Sequence, residues 1–265
     1  MKIVSWNVNH TASHRPIHPM LARCLAALSP DVVVLNEFVD FPTYKDRGDR
    51  DEFYKDMEEA GYSGKLISGG NHIKRQFYDN QVLVLSKSTI QTGNVPSPKM
   101  DNRDMEREEH SPATNYINVA IQKFNIDIIA FRVPYFIKKQ ANSFLSYWDA
   151  FLYNISDIET GRMLFLGDFN VDIFGVNGSG SRDWRKKVQA KIEAMKTKGW
   201  HYHKPKGDFS YRGISGDGSC LDHAVLGNQV QYVHSEYLFE VDGMPVWGAK
   251  KDGISDHLPL LLEIE

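Results

Sequence analysis

Two short runs set acid, amide and imidazole groups against apolar sequence: Leu166-Gly167-Asp168-Phe169-Asn170 and Gly253-Ile254-Ser255-Asp256-His257-Leu258-Pro259-Leu260. Trp6-Asn7 closes the first apolar run of the chain, Glu37 follows Val32-Val33-Val34-Leu35-Asn36, and Asp222 opens a third stretch. These groups suit the binding of a divalent cation and the cleavage of a phosphoester. Such hydrolysis near neutral pH needs charge neutralisation, an activated water and help for the leaving oxygen. Hard cations such as Mg²⁺ take one or two carboxylates together with waters and phosphate oxygens. One acid beside a strand serves as well for a cap or a turn. Capping does not account for four of them, Glu37, Asp168, Asp222 and Asp256, with Asn7, Asn170 and His257 alongside. Asp168 and Asn170 are two apart, so an extended chain would turn both to one face.

Rigid elements must deliver these groups. Apolar, β-rich runs predict strands over residues 3–8, 32–35, 64–68, 81–86, 116–122, 126–132, 163–166, 220–226, 230–239 and 258–264. The unbroken 32–35 run implies a strand covered on both faces. Helical spacing predicts helices over residues 16–28, 49–60, 139–156 and 182–198, the second and fourth stopped by Gly61 and Gly199. In the third, Phe144, Leu145, Trp148, Phe151, Leu152 and Ile155 share one face. A polar stretch over residues 88–112 is too long for an ordinary connection and reads as either a partly ordered excursion or a functional loop. There is no internal repeat and no linker composition. A single domain over residues 1–265 follows, α/β in class, with mixed sheet and helices outside.

Bulk properties narrow the classes. Apolar residues make up 42% of the 265, enough for a substantial core. The formal net charge of −3 excludes a chain that coats nucleic acid through overall basicity, so such a partner must meet a local basic surface. No apolar stretch approaches the length of a membrane span, which argues against a membrane anchor. Met1-Lys2-Ile3-Val4-Ser5-Trp6 runs into a strand without the features of a signal peptide, so a cytoplasmic protein is expected. Cys24 and Cys220 lack the spacing of a disulfide framework or zinc site.

Ser5-Trp6-Asn7-Val8-Asn9, Leu35-Asn36-Glu37, Gly167-Asp168-Phe169-Asn170, Leu221-Asp222-His223 and Ser255-Asp256-His257 resemble, in order and spacing, the endonuclease/exonuclease/phosphatase superfamily of exonuclease III, AP endonucleases and deoxyribonuclease I. The resemblance implies a four-layered α/β sandwich, with two mixed sheets face to face, helices outside and the active site along one edge. It implies Glu37 as the principal ligand of Mg²⁺ or Mn²⁺, with Asn7 and Asp256 or Asn9 completing the site. Asp168 would activate the attacking water, Asn170 would orient water or phosphate, and His257, paired with Asp222, would contact the scissile phosphate.

Three departures stand out. Asn36 replaces the usual Gln, and Asn9-His10 replaces the Asp-Gly or Asn-Gly common after the first strand. In Phe131-Arg132-Val133-Pro134-Tyr135, Arg132 stands where relatives carry Tyr or His. An Arg can hold two phosphate oxygens and stays charged at any working pH, so Arg132 is expected to stabilise the phosphate in the transition state. Basic residues over 182–198 with Trp184 nearby, and then Tyr211 and Arg212, are candidate substrate contacts. The expected activity is metal-dependent hydrolysis of nucleic acid, DNA first, as an endonuclease or exonuclease. The alternative is a phosphatase or phosphodiesterase for a small-molecule or lipid-headgroup ester. A binding module without catalysis is disfavoured because each expected position holds a competent residue. Oligomeric state leaves no signal in the sequence.

Overall fold

The run that offers no polar face, Val32-Val33-Val34-Leu35, lies in a strand (β2, Val32–Phe38) buried along its whole length. The computed structural model describes residues 1–9, 17–40, 47–69, 81–100, 112–134, 140–156, 158–174, 183–213, 218–248 and 253–265. β2 belongs to a six-stranded sheet ordered β12-β15-β1-β2-β4-β3, whose other members are Lys2–Asn7 (β1), Gly64–Ile67 (β3), Gln81–Ser86 (β4), Tyr232–Tyr237 (β12) and Leu260–Ile264 (β15). A five-stranded sheet ordered β11-β8-β7-β6-β5 comprises Ile90–Thr92 (β5), Tyr116–Ile121 (β6), Ile126–Arg132 (β7), Met163–Asp168 (β8) and Asp222–Leu226 (β11). Two small ribbons pair Tyr211–Arg212 (β9) with Gly218–Ser219 (β10) and Glu240–Val241 (β13) with Met244–Pro245 (β14).

Side-chain alternation builds the layers. Ile3, Val32, Val34 and Val84 pack between the sheets with Val119, Ile128, Ala130 and Leu166. On the outer face of the first sheet, Val4, Trp6, Val33 and Leu35 meet Leu21 and Leu25 of α1 (Met20–Leu28) and Phe53 and Met57 of α2 (Arg47–Glu59). Outside the second sheet, Phe131 and Phe165 meet Phe144, Trp148 and Phe151 of α3 (Gln140–Ile155) and Val188 of α4 (Asp183–Ala194). Helix, sheet, sheet and helix make the expected four-layered α/β sandwich.

Topology converges on one edge. β1 and β2 run parallel, with α1 as their crossover; β7 and β8 run parallel, with α3 between them. Parallel neighbours require such crossovers, and their carboxyl ends then lie side by side. Asn7 pairs with Asn36, and Arg132 with Asp168. β11 is antiparallel to β8, so it begins where β8 ends and sets Asp222 opposite Asp168. β15 is antiparallel to β1, so His257, just before it, arrives at the same edge.

The helix expected over residues 182–198 is α4 followed by a tighter turn over Met195–Lys198. Of the long polar stretch, residues 88–100 and 112 are described and contribute β5; 101–111 lie outside the described residues. Gly167 has φ +143°, and a Cβ there would lie 1.8 Å from the Phe131 carbonyl oxygen on the neighbouring strand. Both the dihedral and the close approach demand glycine. Gly167→Ala should cost roughly 3–5 kcal/mol, read as a lower midpoint of urea unfolding at unchanged slope.

Candidate active site

Glu37 is aimed by a defect in the ladder. Asn36 pairs with Val82 and Phe38 with Gln81, so Glu37 is an extra residue in β2, and its φ is +56°. Such a bulge redirects a side chain, and left-handed backbone at a non-glycine residue is uncommon and collects at functional sites. Asn9 (φ +47°) and Asn170 (φ +50°), two further candidates, share this conformation.

Asn7 ties the two sheets' carboxylates together. Its Nδ2 donates to Glu37 Oε1 at 3.2 Å and to Asp168 Oδ2 at 3.0 Å, while its Oδ1 accepts the Asn9 backbone N–H at 3.0 Å. Arg132, only 8% exposed, reaches into the same group. Its Nη2 lies 2.7 Å from Glu37 Oε1, its Nε 3.9 Å from Asp168 Oδ2, and its Nη1 donates to Asn115 Oδ1 at 3.4 Å. The expected phosphate-holding residue is therefore paired with the expected metal ligand.

Asp168 and Asn170 do converge, though not by strand alternation as expected. Asp168 Oδ1 accepts the Asn170 backbone N–H at 2.9 Å, an Asx-type turn that ends the extended chain. Asn170 Nδ2 then folds back to Asp168 Oδ2 at 3.1 Å and to the Val133 carbonyl at 2.6 Å. Burial pushes the Asp168 carboxyl up and nearby Asp222 adds to this; His257 and Arg132 oppose it, leaving a pKa of about 6. A carboxylate poised there can take a proton from water near neutral pH.

Asp222 and His257 form the expected pair, with Nδ1 2.8 Å from Asp222 Oδ2 and both residues buried. Burial alone would lower the His257 pKa. The charge and hydrogen bond of Asp222, aided by Asp168 and Asp256, override it and raise the pKa to about 10. The ring is therefore an imidazolium at neutral pH. Its mount is equally specific. Trp6 Nε1 donates to the His257 carbonyl at 2.9 Å, and Ser255 Oγ donates to the Asn7 carbonyl at 2.6 Å while accepting the His257 N–H at 3.1 Å. Ser210 Oγ accepts the backbone N–H groups of Leu221 and Asp222 at 2.8 and 3.0 Å.

The remaining candidates divide. Asn9 Nδ2 donates to Asp256 Oδ1 at 2.8 Å, so these two expected metal ligands meet each other beside Asn7. Tyr211 packs its ring 4.8 Å from that of His257, and the Arg212 backbone N–H reaches the Asp256 carbonyl at 3.4 Å. The Arg212 guanidinium lies over the Phe209 ring at 4.2 Å. Both residues flank the site. Trp184 does not. It is 4% exposed and stacks on Phe144 at 4.5 Å between α3 and α4, which removes it from any substrate. The sequence held the signal: Trp184, Val188 and Ile192 recur at every fourth position and are the buried residues of α4. Asn115, a neutral amide outside any motif, carried no such signal, yet it anchors Arg132 from both backbone and side chain.

Among the described residues, two groupings could hold a metal. Asp168, Asp222 and His257 place one ligand-type atom each within 4.8 Å of one another. There, however, His257 Nδ1 is engaged by Asp222, and an imidazolium offers no lone pair. The surroundings of Glu37, with Asp168 and the amides of Asn7 and Asn9 nearby, supply oxygen donors of the kind Mg²⁺ or Mn²⁺ prefers. The chemistry of these donors fits a hard cation at Glu37.

Among solved structures, an AP endonuclease from Archaeoglobus fulgidus superposes with a TM-score of 0.67 at 17% identity, covering 100% of this chain and 99% of that one. The 3'-5' exonuclease NExo from Neisseria meningitidis gives 0.63 at 18% identity, with full coverage of both chains. A 3' phosphatase NExo from Neisseria, bound to product DNA hairpin, gives 0.65 at 16% identity over 100% and 99%. At these identities the likeness shows the fold. No curated protein matches. The profile of the Endonuclease/Exonuclease/phosphatase family matches residues 4–257. With that match spanning Asn7, Glu37, Asp168, Asp222 and His257, the chain belongs to the endonuclease/exonuclease/phosphatase family of phosphoester hydrolases.

Proposed function

We propose that this protein is a divalent-metal-dependent phosphodiesterase that hydrolyses nucleic acid, DNA in particular. The observation that carries the reading is the proximity of a poised carboxylate, Asp168, and a fixed cation, the Asp222-held His257, where the two sheets meet beside Glu37. Asp168 takes the proton of the attacking water, and Asn170 holds that carboxylate in place. His257, held at Nδ1 by Asp222, presents its other N–H to the phosphate, and Arg132 adds positive charge beside it. Such preorganised donors act where charge develops. Glu37, with Asn7, Asn9 and Asp256, would hold Mg²⁺ or Mn²⁺, which when bound would supply further neutralisation of phosphate charge. Tyr211 and Arg212 border the substrate. The DNA hairpin bound by the Neisseria 3' phosphatase supports a nucleic-acid partner.

The test is incubation of the full chain with single-stranded, double-stranded and abasic DNA and with RNA, with Mg²⁺ or Mn²⁺ and with chelator. Cleavage that the chelator abolishes is expected; four intact substrates would sink the nuclease reading. The Arg132 guanidinium favours a second reading, because its fork suits a terminal phosphate with two unshared oxygens. A panel of soluble phosphomonoesters separates that phosphatase from a nuclease.

A further inference from the structure

We infer that Arg132 is a built-in counter-cation that sets how tightly Glu37 holds a divalent metal ion. The inference rests on the proposed metal site at Glu37 and deepens it. Glu37 Oε1 already receives two donors, Arg132 Nη2 at 2.7 Å and Asn7 Nδ2 at 3.2 Å. The guanidinium cannot easily withdraw. It is buried at the end of β7, and its backbone N–H bonds the Asn115 carbonyl at 2.9 Å. Its Nη1 is held by Asn115 Oδ1 at 3.4 Å, and Asp168 Oδ2 lies 3.9 Å from Nε.

A metal ion at Glu37 therefore shares its carboxylate with a fixed positive charge. Of the carboxylates around the proposed site, Glu37, Asp168 and Asp256, Arg132 faces the first two and offsets one negative charge. Divalent-ion affinity follows the charge count of the site, and two cations drawn to one carboxylate repel each other in a poorly screened interior. Arg132 thus trades metal affinity for a charge that can serve the phosphate. A Tyr or neutral His at the same strand end would impose no such cost.

The experiment is calorimetric titration of Mn²⁺ into the full chain, wild type against Arg132→Gln, Arg132→Lys and Glu37→Gln, with thermal unfolding to show that each is folded. Arg132→Gln should bind Mn²⁺ at least tenfold more tightly. Arg132→Lys, which keeps the charge, should stay within about threefold of wild type. Equal or weaker binding by folded Arg132→Gln overturns the inference. If Arg132→Gln does not fold, Arg132→Met decides: it keeps much of the buried stem and removes the charge beside Glu37. Mn²⁺ must then bind more tightly, and unchanged binding again overturns the inference. Glu37→Gln separates the two levels. If it leaves Mn²⁺ binding unchanged, the metal site itself is misplaced; if it weakens binding while Arg132→Gln does not tighten it, only the role of Arg132 fails.

Discussion

Asp168→Asn should lower kcat by roughly 10²–10⁴-fold, the range for loss of a positioned general base, while KM moves little. The substitution keeps the shape of the side chain and one oxygen to accept the Asn170 N–H, so the backbone turn survives. Stability should carry a pH signature. The folded-state pKa of Asp168 is raised from 3.8 to about 6, so folding disfavours its charged form. The stability tied to its proton is present below pH 3.8 and lost as pH rises through about 6. Relative to wild type, the neutral amide should therefore fare better at pH 8 than at pH 4 by on the order of 1–3 kcal/mol. Its absolute stability also bears the loss of Oδ2, which accepts from Asn7 Nδ2 at 3.0 Å and from Asn170 Nδ2 at 3.1 Å and gives way to an NH2 donor. Urea unfolding at pH 8 and pH 4, beside steady-state kinetics, checks both halves. A variant whose stability relative to wild type is the same at pH 8 and pH 4 would sink the proton-linked account of Asp168.

The second large effect belongs to His257. His257→Ala leaves Asp222 buried with its Oδ2 partner gone and its Oδ1 already without one. Removing one member of a buried pair costs roughly 3–5 kcal/mol, mostly through the uncompensated charge. Activity should fall by roughly 10²–10³-fold, as for loss of an oxyanion-type donor. Adding Asp222→Asn to His257→Ala removes the stranded charge and should recover most of the stability but none of the activity. The pH dependence supplies a further sign. The folded pKa of His257 is raised from 6.5 to about 10, so its contribution is complete below pH 6.5 and lost as pH rises through about 10. Wild type should thus weaken across that alkaline window, and His257→Ala should lack this component. A double variant as unstable as the single would sink the ion-pair account.

Much of this was legible in the chain because strands impose simple rules. The apolar run at residues 32–35 announced burial on both faces, and the acids at strand ends announced a shared edge. What the sequence hid were effects that depend on an irregular backbone or on a distant neighbour. Asn170 reaches Asp168 by a left-handed turn, where extended alternation was expected. Glu37 projects from a bulge, which no residue preference announces. Asn115 gains its role only because β6 and β7 lie side by side, bringing it to Arg132. Trp184 carries two competing signals: the charges of its helix suggest a substrate-facing surface, while its apolar spacing points inward, and burial follows the spacing. The pairing of Arg132 with Glu37 joins strands from different sheets, a relation no local pattern encodes.

β1 lies between β2 and β15, its register with the latter running from Lys2↔Glu263 to Ser5↔Leu260. During translation that partner follows every other strand of the two sheets. At roughly 5–20 residues per second, roughly 10–50 s separate the synthesis of Asn7 from that of His257. A nascent chain that has not reached residue 257 has an open flank on β1 and no imidazolium. Until that stretch is made, the edge that gathers Asn7, Glu37, Asp168 and Asp222 lacks the Asp222–His257 pair, and the candidate site is complete only once the closing strand docks beside β1.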